Sequence, residues 1–133
     1  MLKMLDVPSS KRCEFVDVTS EVQSVVAESG ISTGCAICYV PHTTAGITIQ
    51  ENADPDVTAD LARRLEALAP HGLAEYRHSE GNSDAHIKSS LLGASACVLI
   101  EAGRLVLGTW QAIYFAEFDG PRRRKLHVKI VAD

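Results

Sequence analysis

Three histidines and the polar residues around them are the groups in this chain best suited to chemistry. His42-Thr43-Thr44 places an imidazole and two hydroxyls in a row between two predicted strands. Thr hydroxyls and neighbouring backbone N–H groups can hold phosphate oxygens; a plain strand-to-strand connection with turn-friendly Thr reads the same way. The densest polar run is Arg77-His78-Ser79-Glu80-Gly81-Asn82-Ser83-Asp84-Ala85-His86. A Gly-Asn turn separates His78 from His86, so the two rings can converge on one point. Neutral imidazole is the commonest transition-metal ligand. His42 can supply a third nitrogen, leaving a coordination position open for water or substrate. The spacing is not of the HExxH type. His71, after a helix-ending Pro, and His127, facing out of an edge-like strand, read as structural.

Three further stretches carry polar groups. In Gln50-Glu51-Asn52-Ala53-Asp54-Pro55-Asp56, capping explains Asp54, and a helix dipole stabilises acids at its start. Glu51 and Asn52 precede the cap and remain candidates for binding substrate, with carboxylates offered to Mg²⁺ as the functional reading. In Gly108-Thr109-Trp110-Gln111, the Gly suggests a bend that carries the sole Trp into or over a cleft, and Gln111 offers both a donor and an acceptor. Arg122-Arg123-Arg124-Lys125 is ordinarily a solvated turn. Beside the histidines, Arg122 or a neighbour can bind phosphate in bidentate fashion. Asp84 and Ser89, on the short helix that carries His86, join Asn82, Thr43 and Thr44 as substrate-binding candidates.

The elements that position these groups follow from periodicity. Residues 12–18, 34–41 and 45–51 read as strands. Ser20 and Gln23 suggest a capping box, with Gly30 as the helix stop. Asp54-Pro55 opens a helix on which Val57, Leu61, Leu65 and Leu68 share a face. A short helix is expected over 84–92, ended by Gly93. Strands follow at 94–101, 104–108, 109–118 and 124–131, joined by tight turns. Strands outnumber helices, which predicts an α+β fold: one domain over 1–133, with largely antiparallel sheets, two main helices and a short one. The CxxC at Cys35 and Cys38 lies inside a strand, where side chains three residues apart face opposite ways. Cys13 and Cys97 stand alone, so no second ligand pair completes a zinc ribbon, and Cys35 and Cys38 read as structural rather than as redox or metal groups.

Composition bounds the function. The chain has 133 residues, 46% of them hydrophobic, enough for a single core. A net charge of -4 argues against general nucleic-acid binding, but not against a small anion held in a local basic patch. No apolar run approaches the ~20 residues that span a bilayer, and Met1–Lys11 does not resemble a secretory signal. The default expectation is a cytoplasmic protein without nucleic-acid or membrane partners. Walker, GxGxxG and GxSxG motifs are absent, which makes P-loop hydrolysis and α/β-hydrolase chemistry poor readings.

Together, His42-Thr43-Thr44, Glu51-Asn52-Ala53-Asp54, His78 and Asn82-x-x-Ala85-His86 resemble the YjbQ-like family, also called the secondary thiamine-phosphate synthase family. The resemblance extends to Ser95-x-x-Val98-x-Ile100-x-x-Gly103-x-x-x-x-Gly108-Thr109-Trp110-Gln111-x-Ile113 and Glu117-Phe118-Asp119-Gly120-Pro121-Arg122. It covers about residues 14–131, and the long C-terminal signature is specific. It implies a compact α+β domain, a homotrimer, and a His-rich site near subunit contacts where a divalent metal, Zn or Mg, binds. It implies an activity that joins a thiazole phosphate to a pyrimidine diphosphate with loss of pyrophosphate, as a main or a side reaction. His42, His78, His86, Asn82, Trp110 and Gln111 match family positions. Two other readings stand beside it. One is a phosphate-ester hydrolase with Zn²⁺ on the three histidines and Glu80 or Asp84 as base. The other is a non-enzymatic trimer that binds metal or ligand.

Overall fold

The computed structural model describes residues 1–133. In chain order the elements are β1 (Leu2–Pro8), β2 (Glu14–Asp17), α1 (Thr19–Ser29), β3 (Gly34–Tyr39), β4 (Ala45–Glu51), α2 (Pro55–Leu68), α3 (Ser83–Leu92), β5 (Ser95–Glu101), β6 (Arg104–Leu105), β7 (Gln111–Glu117) and β8 (Arg123–Ala132). The strands form a five-stranded sheet, β1-β8-β3-β5-β6, and a three-stranded sheet, β2-β7-β4. Every pairing is antiparallel. This is the expected α+β architecture with antiparallel sheets.

Strand alternation sets which residues meet in the core. On β8, Leu126, Val128 and Ile130 are buried; on β3, Ala36 and Cys38; on β7, Ile113 and Phe115. Val22, Val25 and Val26 bring α1 onto the same cluster. Burial of each large aliphatic side chain contributes roughly 1.5–3 kcal/mol. Cys38 is buried and Cys35 only half so, and all four cysteines are free. Burial pushes the Cys38 thiol up to about 12, which makes it an inert core group.

Several local expectations hold. Gly30 ends α1 at φ 70, in the left-handed region. Asp54 caps α2 by accepting the Asp56 N–H, with Pro55 at the first helical position. Others are corrected. The N-terminal segment is strand β1, which pairs with β8. β8 is therefore an interior strand, and His127 stacks on Tyr39 with centroids 6.4 Å apart. α1 begins at Thr19 without a side-chain cap; Gln23 instead ties α1 to the β-hairpin through Gly103 O and Leu105 N–H. The strand expected over 104–108 is only Arg104–Leu105. The apolar face of α2 is half covered, and Leu68 is exposed.

Between α2, α3 and β2 lies a network of charge. Asp84 is fully buried and meets Arg12 at 3.0 Å, Lys88 at 3.3 Å and His71 Nδ1 at 3.1 Å. Lys88 Nζ also donates to Glu66 at 2.7 Å. Burial alone would raise the Asp84 carboxyl, but the hydrogen bonds from His71, Arg12 and Lys88 outweigh it and hold it at about 2. A carboxylate depressed this far adds stability above its unfolded value, near ~3.9, and loses it as pH falls toward ~2. Asp84→Asn leaves Lys88 buried with half its partners, so at neutral pH it should cost on the order of 3 kcal/mol, or roughly 10 °C in Tm. Thermal melts of both proteins check this. The gap should narrow between about pH 4 and pH 2; a gap independent of pH contradicts the assignment.

Candidate functional site

The site stands where the two sheets meet. Residues 40–44 carry the chain from β3, in the large sheet, to β4, in the small one. Arg124 of β8 and Glu117 of β7 pin this crossing, and both are almost fully buried. Arg124 Nε donates to both Glu117 oxygens at 2.9 and 3.0 Å, and its Nη2 reaches Glu117 at 2.5 Å and Thr44 Oγ1 at 2.8 Å. Ser9 Oγ donates to Glu117 at 2.6 Å, and the Asp119 N–H donates at 3.1 Å. Burial would raise the Glu117 carboxyl, but Arg124 and Ser9 hold it below its ordinary value. Next along β8, the Lys125 backbone N–H donates to His42 Nε2 at 2.9 Å. Burial, helped by the Arg124 charge, keeps His42 below the usual histidine range. The ring is therefore neutral at pH 7, with its lone pair committed at Nε2 and its proton at Nδ1.

Helix α3 forms the opposite wall. Its C-terminal end lies on β4 at Gly46, where an added Cβ would come within 3.0 Å of Gly93 O and 3.2 Å of Leu92 Cβ. Ser89 Oγ donates to Thr43 O at 2.8 Å, which ties the His42 loop to the helix. Between loop and helix is a cavity of about 310 Å³ with a mostly polar lining; His42, Thr43, Asn82, His86, Asp119 and Arg122 face it. Pro41, Thr44, Glu80 and Arg124 complete it, whereas Arg123 lies outside. Arg122 is fixed by Asp119, its Nε on the backbone carbonyl at 2.9 Å and its Nη2 on the carboxylate at 3.1 Å. A second, more open cleft of about 510 Å³ is lined by Tyr76, Arg77, His78, Ser83, His86 and Ile87. His86 belongs to both. Its ring centroid is 5.4 Å from that of His78, and His78 Nε2 is 3.6 Å from Glu80.

The remaining candidates lie elsewhere. Asp84, read from sequence as substrate-binding or as a general base, is locked into the Arg12–Lys88 network. The Ser89 hydroxyl is engaged with Thr43. Glu51, Asn52, Trp110 and Gln111 cluster at the far end of the three-stranded sheet. Ala45 pairs with Glu117 at the His42 end and Glu51 with Gln111 at the other, so the two groups stand about 20 Å apart along the strands. There the Asn52 N–H donates to Trp110 O at 3.0 Å, Gln111 Oε1 accepts from the Gly108 N–H at 2.8 Å, and Trp110 is 60% exposed. Of the basic run, Arg122 and Arg124 reach the cavity; Glu117 and Asp119 carry no local sign of a site role, because their placement needs the β7–β8 geometry.

Residues 3–133 match the model of the family described as UPF0047 protein YjbQ-like. The chain belongs to this family. It is 54% identical to UPF0047 protein YugU of Bacillus subtilis, over 98% of this chain and 99% of that protein. It is 53% identical to a UPF0047 protein of Methanocaldococcus jannaschii, over 100% and 96%. Among solved structures, an uncharacterised YjbQ/UPF0047 protein of Clostridium acetobutylicum superposes with a TM-score of 0.94 at 53% identity, covering 97% of this chain and 99% of that one. A protein of unknown function from Sulfolobus solfataricus gives 0.95 at 30% identity, covering 100% and 97%. No helix of this YjbQ-like chain is long and apolar enough to cross a membrane.

The metal set expected for the family does not fit this geometry within one chain. No group of three or more His, Cys, Asp or Glu side chains is arranged to hold an ion. His42 shares a cavity with His86 but not with His78. Its Nε2 lone pair already accepts a backbone N–H, and a protonated Nδ1 offers none. Within one chain the three rings fall into a His78–His86 pair and a separate, hydrogen-bonded His42. Nitrogen-15 NMR should show His42 as the Nδ1–H tautomer, titrating below the ordinary histidine value. An Nε2–H tautomer or a raised midpoint contradicts the assignment.

Proposed function

We propose that the two clefts joined at His86 bind two phosphorylated heterocycles and that the protein is a transferase of the thiamine-phosphate synthase type. The observation that carries this reading is His86 itself, which lines both the mostly polar cavity and the open cleft with aromatic and aliphatic lining. The polar cavity suits a phosphate or diphosphate; the larger cleft, with Tyr76 and Ile87, suits a ring.

In the reaction, a thiazole-phosphate nitrogen gives its lone pair to the methylene carbon of the pyrimidine diphosphate. A C–N bond forms as the C–O bond breaks. The bonding pair leaves with pyrophosphate, and the ring nitrogen becomes cationic. No protein nucleophile is required. The protein's part is to align the two partners and to stabilise charge growing on the leaving oxygens. Orientation can contribute up to ~7–11 kcal/mol, and fixed donors act without reorganisation. Arg122, held by Asp119, the Nδ1–H of His42 and the Thr43 hydroxyl supply those donors.

The homotrimer belongs to the same proposal. On the outward face of the five-stranded sheet, Leu2, Met4, Ile37, Tyr39, Leu99 and Val131 are exposed together, a patch of the kind that another subunit covers. A neighbour is also the simplest source of the Trp110–Gln111 group for a His42 site, because within one chain the two are far apart.

With both substrates and Mg²⁺ in the buffer, the purified protein should release pyrophosphate, and neither substrate alone should do so. His86→Ala and Arg122→Ala should each lower kcat/KM by about 100-fold or more, and light scattering should give three chain masses. Chelator-sensitive turnover of a simple phosphomonoester, without condensation, would favour the hydrolase. Absence of any turnover would overturn the enzymatic reading.

A further inference from the structure

Asn82 occupies the N-cap of α3, where an Asn side chain ordinarily accepts a first-turn N–H. It makes no such bond here. Its Nδ2 is turned away to donate to Asp119 Oδ2 at 2.8 Å. That bond fixes the amide orientation, since a flipped amide would press two acceptor oxygens together. The residue is only 8% exposed, and Oδ1 is the one buried side-chain polar atom in the chain with no hydrogen-bond partner. A buried acceptor left unpaired costs on the order of 1–3 kcal/mol, so a withheld cap oxygen calls for a reason. Asn82 faces the polar cavity. The ionised lining of that cavity is balanced, with Arg122 and Arg124 against Asp119 and Glu80, and Arg124 is already spent on Glu117.

An oxyanion with no proton would therefore meet acceptors it cannot satisfy. One that retains a proton would donate it to Asn82 and take hydrogen bonds from Arg122 and the His42 side. We infer that this cavity is a phosphate site with built-in selection for an anion that still carries an O–H, and that Asn82 Oδ1 is the specificity-determining acceptor. This deepens the reading of the polar cavity as the phosphate end of the site and rests on it. At the start of α3 the Ala85 and His86 N–H groups are taken by the Asn82 carbonyl at 3.0 and 3.3 Å, and the helix adds the positive end of its dipole on this side.

Phosphate and sulfate separate the idea cleanly. At about pH 8, above the second ionisation of a phosphate group, both are dianions of similar size, but only hydrogenphosphate has a proton to give. Titration of the intact protein by calorimetry, with inorganic phosphate and with sulfate, should show phosphate bound at least ~10-fold more tightly. Asn82→Ala should bring the ratio to about one, with sulfate affinity kept or improved. Equal affinities in the unmodified protein, binding of neither anion, or an unchanged ratio in a folded Asn82→Ala variant would each overturn the inference. The unmodified protein alone decides the first two outcomes, so the test survives a variant that fails to fold. Loss of selectivity and loss of pyrophosphate-releasing activity are separate readouts, and either can fail without the other.

Discussion

The Arg124–Glu117 pair is the contact on which the site depends. One partner belongs to the five-stranded sheet and the other to the three-stranded sheet. Buried ions are costly to desolvate, and a pair repays that cost only when nearly every lone pair and proton is used. Here Glu117 accepts from Arg124, Ser9 and the Asp119 backbone, while Arg124 also reaches Thr44. An apolar pair could fill the same volume with comparable stability. It would not fix the direction of the 40–44 crossing or the start of β8, and those two segments carry His42, Thr43 and Arg122.

From that clamp the site follows in steps. Holding Arg124 sets the Lys125 N–H, which takes the His42 lone pair and leaves a neutral ring with its proton at Nδ1. Holding Asp119 sets both Arg122 and the Asn82 amide. Ser89 and Gly46 then bring α3 against the loop, so that His86 divides two clefts. The second charged cluster, around Asp84, is separate. It seats α2 and α3 against β2 and explains why a carboxylate two residues from the catalytic candidate His86 takes no part in the cavity.

Much of this is legible in the sequence where a local rule fixes the answer. Asp54-Pro55 and Gly30 mark helix ends because capping and positive φ depend on single residues. The face of Cys35 and Cys38 follows from strand parity. β1 escapes notice because Leu2 and Met4 point out while Leu5 and Val7 point in, so both faces are apolar and no alternation appears. That omission also makes β8 look like an edge. Asp84 and Lys88 carry a four-residue spacing on α3, a fair sign of an ion pair, but nothing in the sequence says that the pair is buried. His42 lines the polar cavity, and the backbone N–H that occupies its lone pair lies 83 residues away, beyond any local pattern. The distance between the Trp110–Gln111 group and the histidines appears only with the β4–β7 register.

The most direct test of the clamp is Arg124→Lys, which keeps the charge and removes the planar fork. Amide hydrogen exchange at Lys125 reports the bond to His42, and phosphate affinity reports the cavity. The account predicts a folded protein with faster exchange at Lys125 and phosphate binding weakened by about tenfold or more. Exchange and affinity both unchanged would show that the fork does not position the site, and would contradict the account.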